Sequence, residues 1–230
     1  VPRRRASNPS PVNPLAMSDI PLEHIHREPD SDTGHAVFVL HGRGADEQDL
    51  LPVADRLPGD RHVVSFRAPD RLRGGYTWYD LDLADGGLES SQPDPDGFRR
   101  SLDMVAESVD AAVDAYDLDR DSLGLLGFSQ GAITSLSLVL EQPATFAWVA
   151  AHHGYLAASH ADRSPDGIEG KPVFVAAGAA DQIIPASRSE AAAEGMREAG
   201  ADVTFGTFEG GHGIGPDELD AVQAFVEQHD

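Results

Sequence analysis

The feature that most constrains the fold of this chain is a regular alternation of short apolar runs with longer amphipathic stretches. The apolar runs have the length of strands and end at glycine or polar residues; they occupy 35–42, 61–69, 122–128, 146–154, 171–178 and 201–208. Continuous apolar runs of this length are typical of strands that are buried on both faces of a parallel sheet. A more alternating run over 22–28 predicts an antiparallel edge strand.

The stretches between these runs have helical periodicity. They cover 47–57, 97–117, 130–141, 187–199 and 217–228. In 97–117, apolar residues recur at a spacing that places them on one helix face. Strands that alternate with helices predict an α/β fold, a mostly parallel central sheet with helices on both faces. The polar loops 82–97 and 156–170 are too short for a large lid domain.

We expect residues 17–230 to form a single domain, because a chain of 230 residues can bury one substantial core. Residues 1–16 contain four prolines and no apolar periodicity, and we expect them to form a disordered extension. No apolar run reaches the length of a membrane span, so stable membrane insertion is not expected. The absence of cysteine excludes disulfides and thiolate catalysis.

The net charge of the chain limits the classes of partner that it is expected to bind. Its 39 acidic residues outnumber its 17 basic ones, which gives a net charge of −22, and Lys171 is the only lysine. Such a field repels nucleic acids and anionic membranes. We interpret the acidity as adaptation to a high-salt cytoplasm, where salt screens self-repulsion; an ordinary acidic protein is the alternative.

The pentapeptide "GFSQG" (127–131) lies between the apolar run 122–128 and the helical stretch 130–141. In Gly-x-Ser-x-Gly between a strand and a helix, the two glycines permit a sharp turn that exposes the serine hydroxyl. This context predicts that Ser129 is a nucleophile; the alternative is a structural turn serine.

A nucleophilic serine needs a base, and the base needs a carboxylate to orient it. Asp181 follows the run 171–178, and His212 follows the run 201–208. Because the carboxyl ends of parallel strands meet at one edge of a sheet, we predict Ser129, Asp181 and His212 to form a catalytic triad. Asp202 and Glu209 are the rivals for the acid.

The sequence "HGRG" (41–44) follows the first central strand and predicts an oxyanion hole. We assign its donors to the backbone N–H groups of Arg43 and Gln130, and we expect His41 to brace the loop. The adjacent histidines 152 and 153 would point in opposite directions on a strand, so we expect no metal site there.

These motifs together identify a resemblance. The stretches "LHGRGADEQDLLPVADRL", "RAPDRLRGGYTWYD", "GFSQGAITSLSLVL", "GYL", "GAADQIIP" and "GGHGI" resemble, in the same order, those of the phospholipase/carboxylesterase family of α/β-hydrolases. This group includes acyl-protein thioesterases and small bacterial esterases. The resemblance implies a serine hydrolase without a cofactor, acting on carboxylic esters or thioesters. It also implies the same triad and the same two oxyanion donors.

The resemblance suggests a substrate pocket that includes Trp78 and His153, and it is compatible with a homodimer. The chain departs from the family at two places: Ala132 stands where a second glycine often follows the serine motif, and His153 stands where a serine commonly precedes "GYL".

From these observations we predict a carboxylesterase for small-molecule esters with short-to-medium acyl chains. One alternative is a lysophospholipase or acyl-protein thioesterase for long acyl chains. An alternative from another class is a catalytically silent binding scaffold.

Overall fold

The computed structural model describes residues 20–83, 87 and 90–229, and the predicted extension 1–16 lies outside these ranges. The described residues form the following helices and strands: β1 His24–Arg27, β2 Ala36–Leu40, α1 Leu51–Ala54, β3 His62–Phe66, β4 Asp70–Leu72, β5 Gly75–Thr77, β6 Leu81–Asp82, β7 Gln92–Pro93, α2 Pro95–Tyr116, β8 Leu123–Phe128, α3 Gln130–Glu141, β9 Trp148–His152, β10 Pro172–Gly178, α4 Ala186–Ala199, β11 Asp202–Phe208 and α5 Pro216–His229.

The main sheet has the strand order β1-β3-β2-β8-β9-β10-β11. All of its neighbouring strands run parallel except β1, which pairs antiparallel with β3 at the edge. Two small hairpins, β4–β5 and β6–β7, lie outside this sheet. The predicted α/β fold with a mostly parallel central sheet is confirmed, and the expected antiparallel edge strand within 22–28 is His24–Arg27.

The sheet separates two apolar cores. Strand β2 is buried along its whole length, with Phe38 in the core beneath α2, α3 and α4 and Val39 in the core beneath α1 and α5. Successive side chains of a strand point to opposite faces. A strand covered on both faces therefore carries apolar residues at every position, which explains why the runs were continuous rather than alternating.

Helix α2 begins two residues before the predicted start. The Asp94 carboxylate accepts a hydrogen bond from the Gly97 N–H at 2.8 Å, and Pro95 occupies the first helical position. Both features favour a helix start there. Within the described ranges, none of the helices combines the length and apolar character that a membrane crossing requires.

The predicted helix over 47–57 is much shorter, since only Leu51–Ala54 is α-helical. The Asp46 carboxylate accepts a hydrogen bond from the Gln48 N–H at 2.9 Å, and the buried Glu47 pairs with Arg67 at 2.6 Å. A side chain that bonds to nearby backbone offers an alternative to helical hydrogen bonds. These local contacts keep the beginning of the stretch in turns.

Candidate active site

Ser129 lies in the sharp turn between β8 and α3. Its φ is 54° and its ψ is −115°, a backbone conformation that residues other than glycine rarely adopt. A Cβ atom on Gly127 would lie 2.4 Å from the Gly131 carbonyl oxygen, and one on Gly131 would lie 2.0 Å from the Leu40 carbonyl oxygen. Both glycines are therefore required for the chain to turn this tightly.

The structure brings the three residues of the predicted triad together. Nε2 of His212 lies 2.9 Å from Oγ of Ser129, and Nδ1 of His212 lies 2.7 Å from Oδ2 of Asp181. With its proton on Nδ1, the His212 ring donates to the carboxylate and keeps Nε2 free to accept the serine proton. The rival acids are elsewhere: Asp202 starts β11 at the opposite end of the sheet, and Glu209 is exposed.

The Asp181 carboxylate is buried and uses both of its oxygen atoms. Oδ1 accepts hydrogen bonds from the N–H groups of Ile183 at 2.9 Å and Ile184 at 3.0 Å. Oδ2 accepts from His212 and also from Nδ1 of His153, at 2.9 Å. Burial raises the pKa of Asp181, but the hydrogen bonds from the two histidines and the backbone outweigh it and lower the pKa below its usual value. The carboxylate therefore stays ionised.

The loop after β2 is held in place by His41. Nε2 of His41 accepts the Ala68 N–H at 3.1 Å, so its proton is on Nδ1, which donates to the Gly42 carbonyl oxygen at 2.7 Å. Burial lowers the pKa of His41 and outweighs the neighbouring groups that raise it, which keeps the ring neutral. His41 therefore braces this loop, as predicted.

Arg43 and Gln130, the residues with the predicted oxyanion donors, line the same cavity as Ser129. Gln130 is the first residue of α3, where a backbone N–H has no acceptor within the helix. The Arg43 N–H makes no hydrogen bond to another residue of the described ranges, whereas the Gly44 N–H donates to the Tyr76 carbonyl oxygen at 2.7 Å. N–H donors without a partner in the described part of the protein, in a cavity that also holds the nucleophile, are available to receive a developing oxyanion.

A cavity of about 220 Å³ opens at Ser129. Most of its wall is apolar; the residues that line it are Arg43, Leu81, Ser91, Ser129, Gln130, Ile133, Tyr155, Ile183, Ile184 and His212. The guanidinium of Arg188 lies 3.4 Å from the centre of the Tyr155 ring and donates to the Ser91 carbonyl oxygen at 2.8 Å. Arg188 thus connects two residues of the wall that are far apart in the sequence.

The prediction that Trp78 and His153 line the pocket needs correction, because neither residue lies at the cavity wall. Trp78 is fully buried beneath the loop after β2, and its Nε1–H donates to the His41 carbonyl oxygen at 2.8 Å. His153 is buried behind Asp181. Its φ of 53° turns the chain sharply at the end of β9, so its side chain points beneath the site.

Sequence reasoning missed Glu218, which lies in the first turn of α5 and is 1% exposed. Its carboxylate contacts both histidines that follow β9, at 2.6 Å from Nδ1 of His152 and 3.0 Å from Nε2 of His153. No motif marks this residue. The one sequence signal for it was an acidic residue in a helix first turn, a position where carboxylates are common.

His153, Asp181 and His212 form the group in the described ranges whose ligand atoms, within 4.8 Å of one another, could surround a metal ion. Both histidines, however, need the proton on Nδ1 for their hydrogen bonds to Asp181. A cation at this position would displace these protons and separate His212 from its acid. The observed geometry favours a hydrogen-bonded triad.

Comparisons with known proteins show the family to which the chain belongs. Residues 23–230 match the phospholipase/carboxylesterase family. The putative hydrolase MhqD of Bacillus subtilis (strain 168) is 24% identical over 90% of this chain and 98% of its own length. Acyl-protein thioesterase 1 of Gibberella zeae is 29% identical over 86% of each chain.

Solved structures are similar over nearly the whole chain. The Bacillus cereus carboxylesterase superposes with a TM-score of 0.81 at 25% identity, over 94% of this chain and 96% of its own. Esterase PE8 superposes with a TM-score of 0.79 at 26% identity, over 91% of this chain and 99% of its own. The chain is thus an α/β-hydrolase enzyme, and it belongs to the phospholipase/carboxylesterase family.

Proposed function

We propose that this enzyme is a serine carboxylesterase that hydrolyses esters of short-to-medium acyl chains through a covalent acyl-enzyme on Ser129. The observation that carries the proposal is the continuous hydrogen-bonded series from Ser129 Oγ through His212 to Asp181, at 2.9 Å and 2.7 Å, at the mouth of an apolar cavity. A catalytically silent scaffold, the alternative from another class, would not need this alignment.

The proposed reaction uses each of these groups in turn. Nε2 of His212 takes the Ser129 proton as Oγ attacks the ester carbonyl carbon, and Asp181 stabilises the resulting imidazolium. The amides of Arg43 and Gln130 hold the negative charge that develops on the carbonyl oxygen. His212 then gives its proton to the leaving alcohol, which leaves Ser129 acylated. A water molecule, activated by the same histidine, releases the carboxylic acid.

The size and lining of the cavity support short-to-medium acyl chains. Its volume of about 220 Å³ and its apolar side chains, such as Ile133, Tyr155 and Ile184, suit a small acyl group. Long-chain hydrolysis remains the second candidate, because several relatives of this chain carry the name acyl-protein thioesterase 1. The two candidates differ in acyl length.

A series of p-nitrophenyl esters tests the acyl length. We expect kcat/KM to be highest for acyl chains of about two to six carbons and to fall for longer ones, because the cavity wall limits the apolar area that an acyl group can bury. A matched series of thioesters, measured with the same acyl chains, separates acyl length from leaving group. A maximum at about twelve to sixteen carbons would favour the long-chain alternative.

We also propose that the acidic surface is adapted to high salt, which supports a cytoplasmic location in a salt-rich cell. We expect the melting temperature and the esterase rate to be higher in about 2 M KCl than in dilute buffer, because the Debye length of about 3 Å at 1 M screens repulsion among the 39 carboxylates. Thermal unfolding over a KCl series measures this. Sucrose at matched osmolality is the control, and equal stability in dilute and molar KCl would contradict the interpretation.

A further inference from the structure

The hydrogen bonds of the triad continue into the interior behind Asp181. Oδ2 of Asp181 accepts from Nδ1 of His153 at 2.9 Å, and Nε2 of His153 lies 3.0 Å from Oε2 of Glu218. The other Glu218 oxygen, Oε1, lies 2.6 Å from Nδ1 of His152. The side chains of His152, His153 and Glu218 are at most 1% exposed. These three residues and Asp181 form a buried network that does not touch the cavity.

The position of His153 determines its protonation. Each of its ring nitrogens faces an oxygen of a different carboxylate, Asp181 on one side and Glu218 on the other. A neutral imidazole has one N–H and could donate to only one of them, whereas an imidazolium donates to both. Burial lowers the pKa of His153, but the hydrogen bonds and charges of Glu218 and then Asp181 outweigh it and raise the pKa above its usual value.

The surroundings of His153 contain no further charged partner among the described residues. The ring of His212 lies 5.5 Å from its ring, centre to centre and nearly perpendicular, and the apolar ring of Phe128 lies at the same distance. His152 donates to Glu218 from Nδ1, and its Nε2 is buried without a hydrogen-bond partner in the described ranges. His152 thus has one carboxylate partner, whereas His153 has a carboxylate at each ring nitrogen, so we assign the charge to His153.

Glu218 is an anion in this network. Burial raises its pKa, but the hydrogen bonds from His152 and His153 outweigh that and lower the pKa to about 2. Glu218 also lies in the first turn of α5, where the helix dipole favours negative charge. Asp181, Glu218 and the imidazolium of His153 together carry one net negative charge, the same as an isolated triad aspartate.

We propose that His153 and Glu218 are positioning residues of the esterase: His153 holds Asp181 in place by a charged hydrogen bond, and Glu218 balances the charge that His153 brings. Without Glu218, a charged His153 would cancel the charge of Asp181, and the imidazolium that His212 becomes in the transition state would lose stabilisation. The proposal rests on the proposed function, since it assigns both residues a role in that reaction.

Glu218→Gln tests the charge balance with little change in shape. We expect kcat to fall about 10-fold, equivalent to one pK unit of lost charge stabilisation, with KM unchanged because Glu218 lies outside the cavity. Asp217→Asn is the matched control, since Asp217 is exposed in the same helical turn and loses the same charge. Its kcat should equal that of the unchanged chain. Equal kcat values in the two variants would overturn the proposal.

A spectroscopic readout separates this role from a merely structural one. Side-chain ¹⁵N NMR of the unchanged chain should show His153 protonated on both nitrogens at neutral pH, where a free histidine is mostly neutral. In Glu218→Gln, His153 should keep its charge at neutral pH through its hydrogen bond to Asp181, but it should lose its proton at a lower pH than in the unchanged chain. An unprotonated His153 nitrogen at neutral pH in the unchanged chain would overturn the proposal, whether or not the variant folds.

The two proposals can fail separately. If the unchanged chain hydrolyses no ester, the proposed function fails, whereas the NMR experiment still tests the charge of His153. If the unchanged chain is active and Glu218→Gln retains its full kcat, the triad stands and the role of the network fails.

Discussion

Replacing Ser129 by alanine is expected to lower kcat for ester hydrolysis by about a million-fold and to leave the chain folded. The Ser129 hydroxyl is the nucleophile in the proposed reaction, and its Oγ lies 2.9 Å from Nε2 of His212. Among the described residues, no other hydroxyl forms a hydrogen bond with His212. Alanine can keep the same backbone, because the glycines on both sides provide the space for the turn. The measurement is kcat with the preferred p-nitrophenyl ester, together with the melting temperature.

Fluorophosphonate labelling, detected by intact-mass spectrometry, tests directly whether Ser129 is the nucleophile. The unchanged chain should gain a single adduct, and Ser129→Ala should gain none. Ser137→Ala is the control: Ser137 is buried on α3, does not line the cavity, and its Oγ has no hydrogen-bond partner in the described ranges. Labelling of the Ser129 variant at the rate of the unchanged chain would refute the assigned nucleophile.

Replacing Asp181 by asparagine is expected to lower kcat by about 10⁴-fold, because it reverses the protonation of His212. Two backbone N–H groups, those of Ile183 and Ile184, donate to Oδ1 of Asp181. The amide oxygen of an asparagine would take that position, and its NH₂ group would take the place of Oδ2. This group would donate to Nδ1 of His212 and move the ring proton to Nε2, which could then no longer accept the serine proton.

The comparison variant for Asp181→Asn is Asp202→Asn. Asp202 is exposed at the far end of β11, so its loss should leave kcat unchanged. Steady-state kinetics of both variants show which of the two carboxylates the activity requires, and melting temperatures confirm that both variants fold. If Asp202→Asn lost activity and Asp181→Asn kept it, the acid of the triad would have to be reassigned.

The strands and the serine turn could be predicted because their causes are local. A strand buried on both faces must be apolar throughout, as β2 is, and a serine with φ of 54° needs small neighbours such as Gly127 and Gly131. Asp181 and His212 could be placed because both follow parallel strands of one sheet. In each case, the sequence pattern around a residue is sufficient to predict where in the fold that residue lies.

Trp78, His153 and Glu218 could not be placed from the sequence. The end of a strand predicts that a side chain is near the sheet edge, but not whether it points into the cavity or into the layer below. His153 has a left-handed backbone with a φ of 53°, and a histidine adopts such a conformation too rarely for the sequence to predict it. Glu218 is 65 residues away from its partner His153 in the chain, so only the tertiary packing of α5 brings the two together.

The order of the strands also affects how quickly the site can form during folding. Strand β2, which leads into the oxyanion loop, pairs with β8, which leads into Ser129, and their first pair joins Ala36 to Leu123. Such distant pairings require closure of long loops, and chains rich in them fold slowly. Because the remaining members of the site follow β9, β10 and β11, no local segment of the chain contains a working part of it. The proposed catalytic site is therefore complete only when the centre of the sheet has closed.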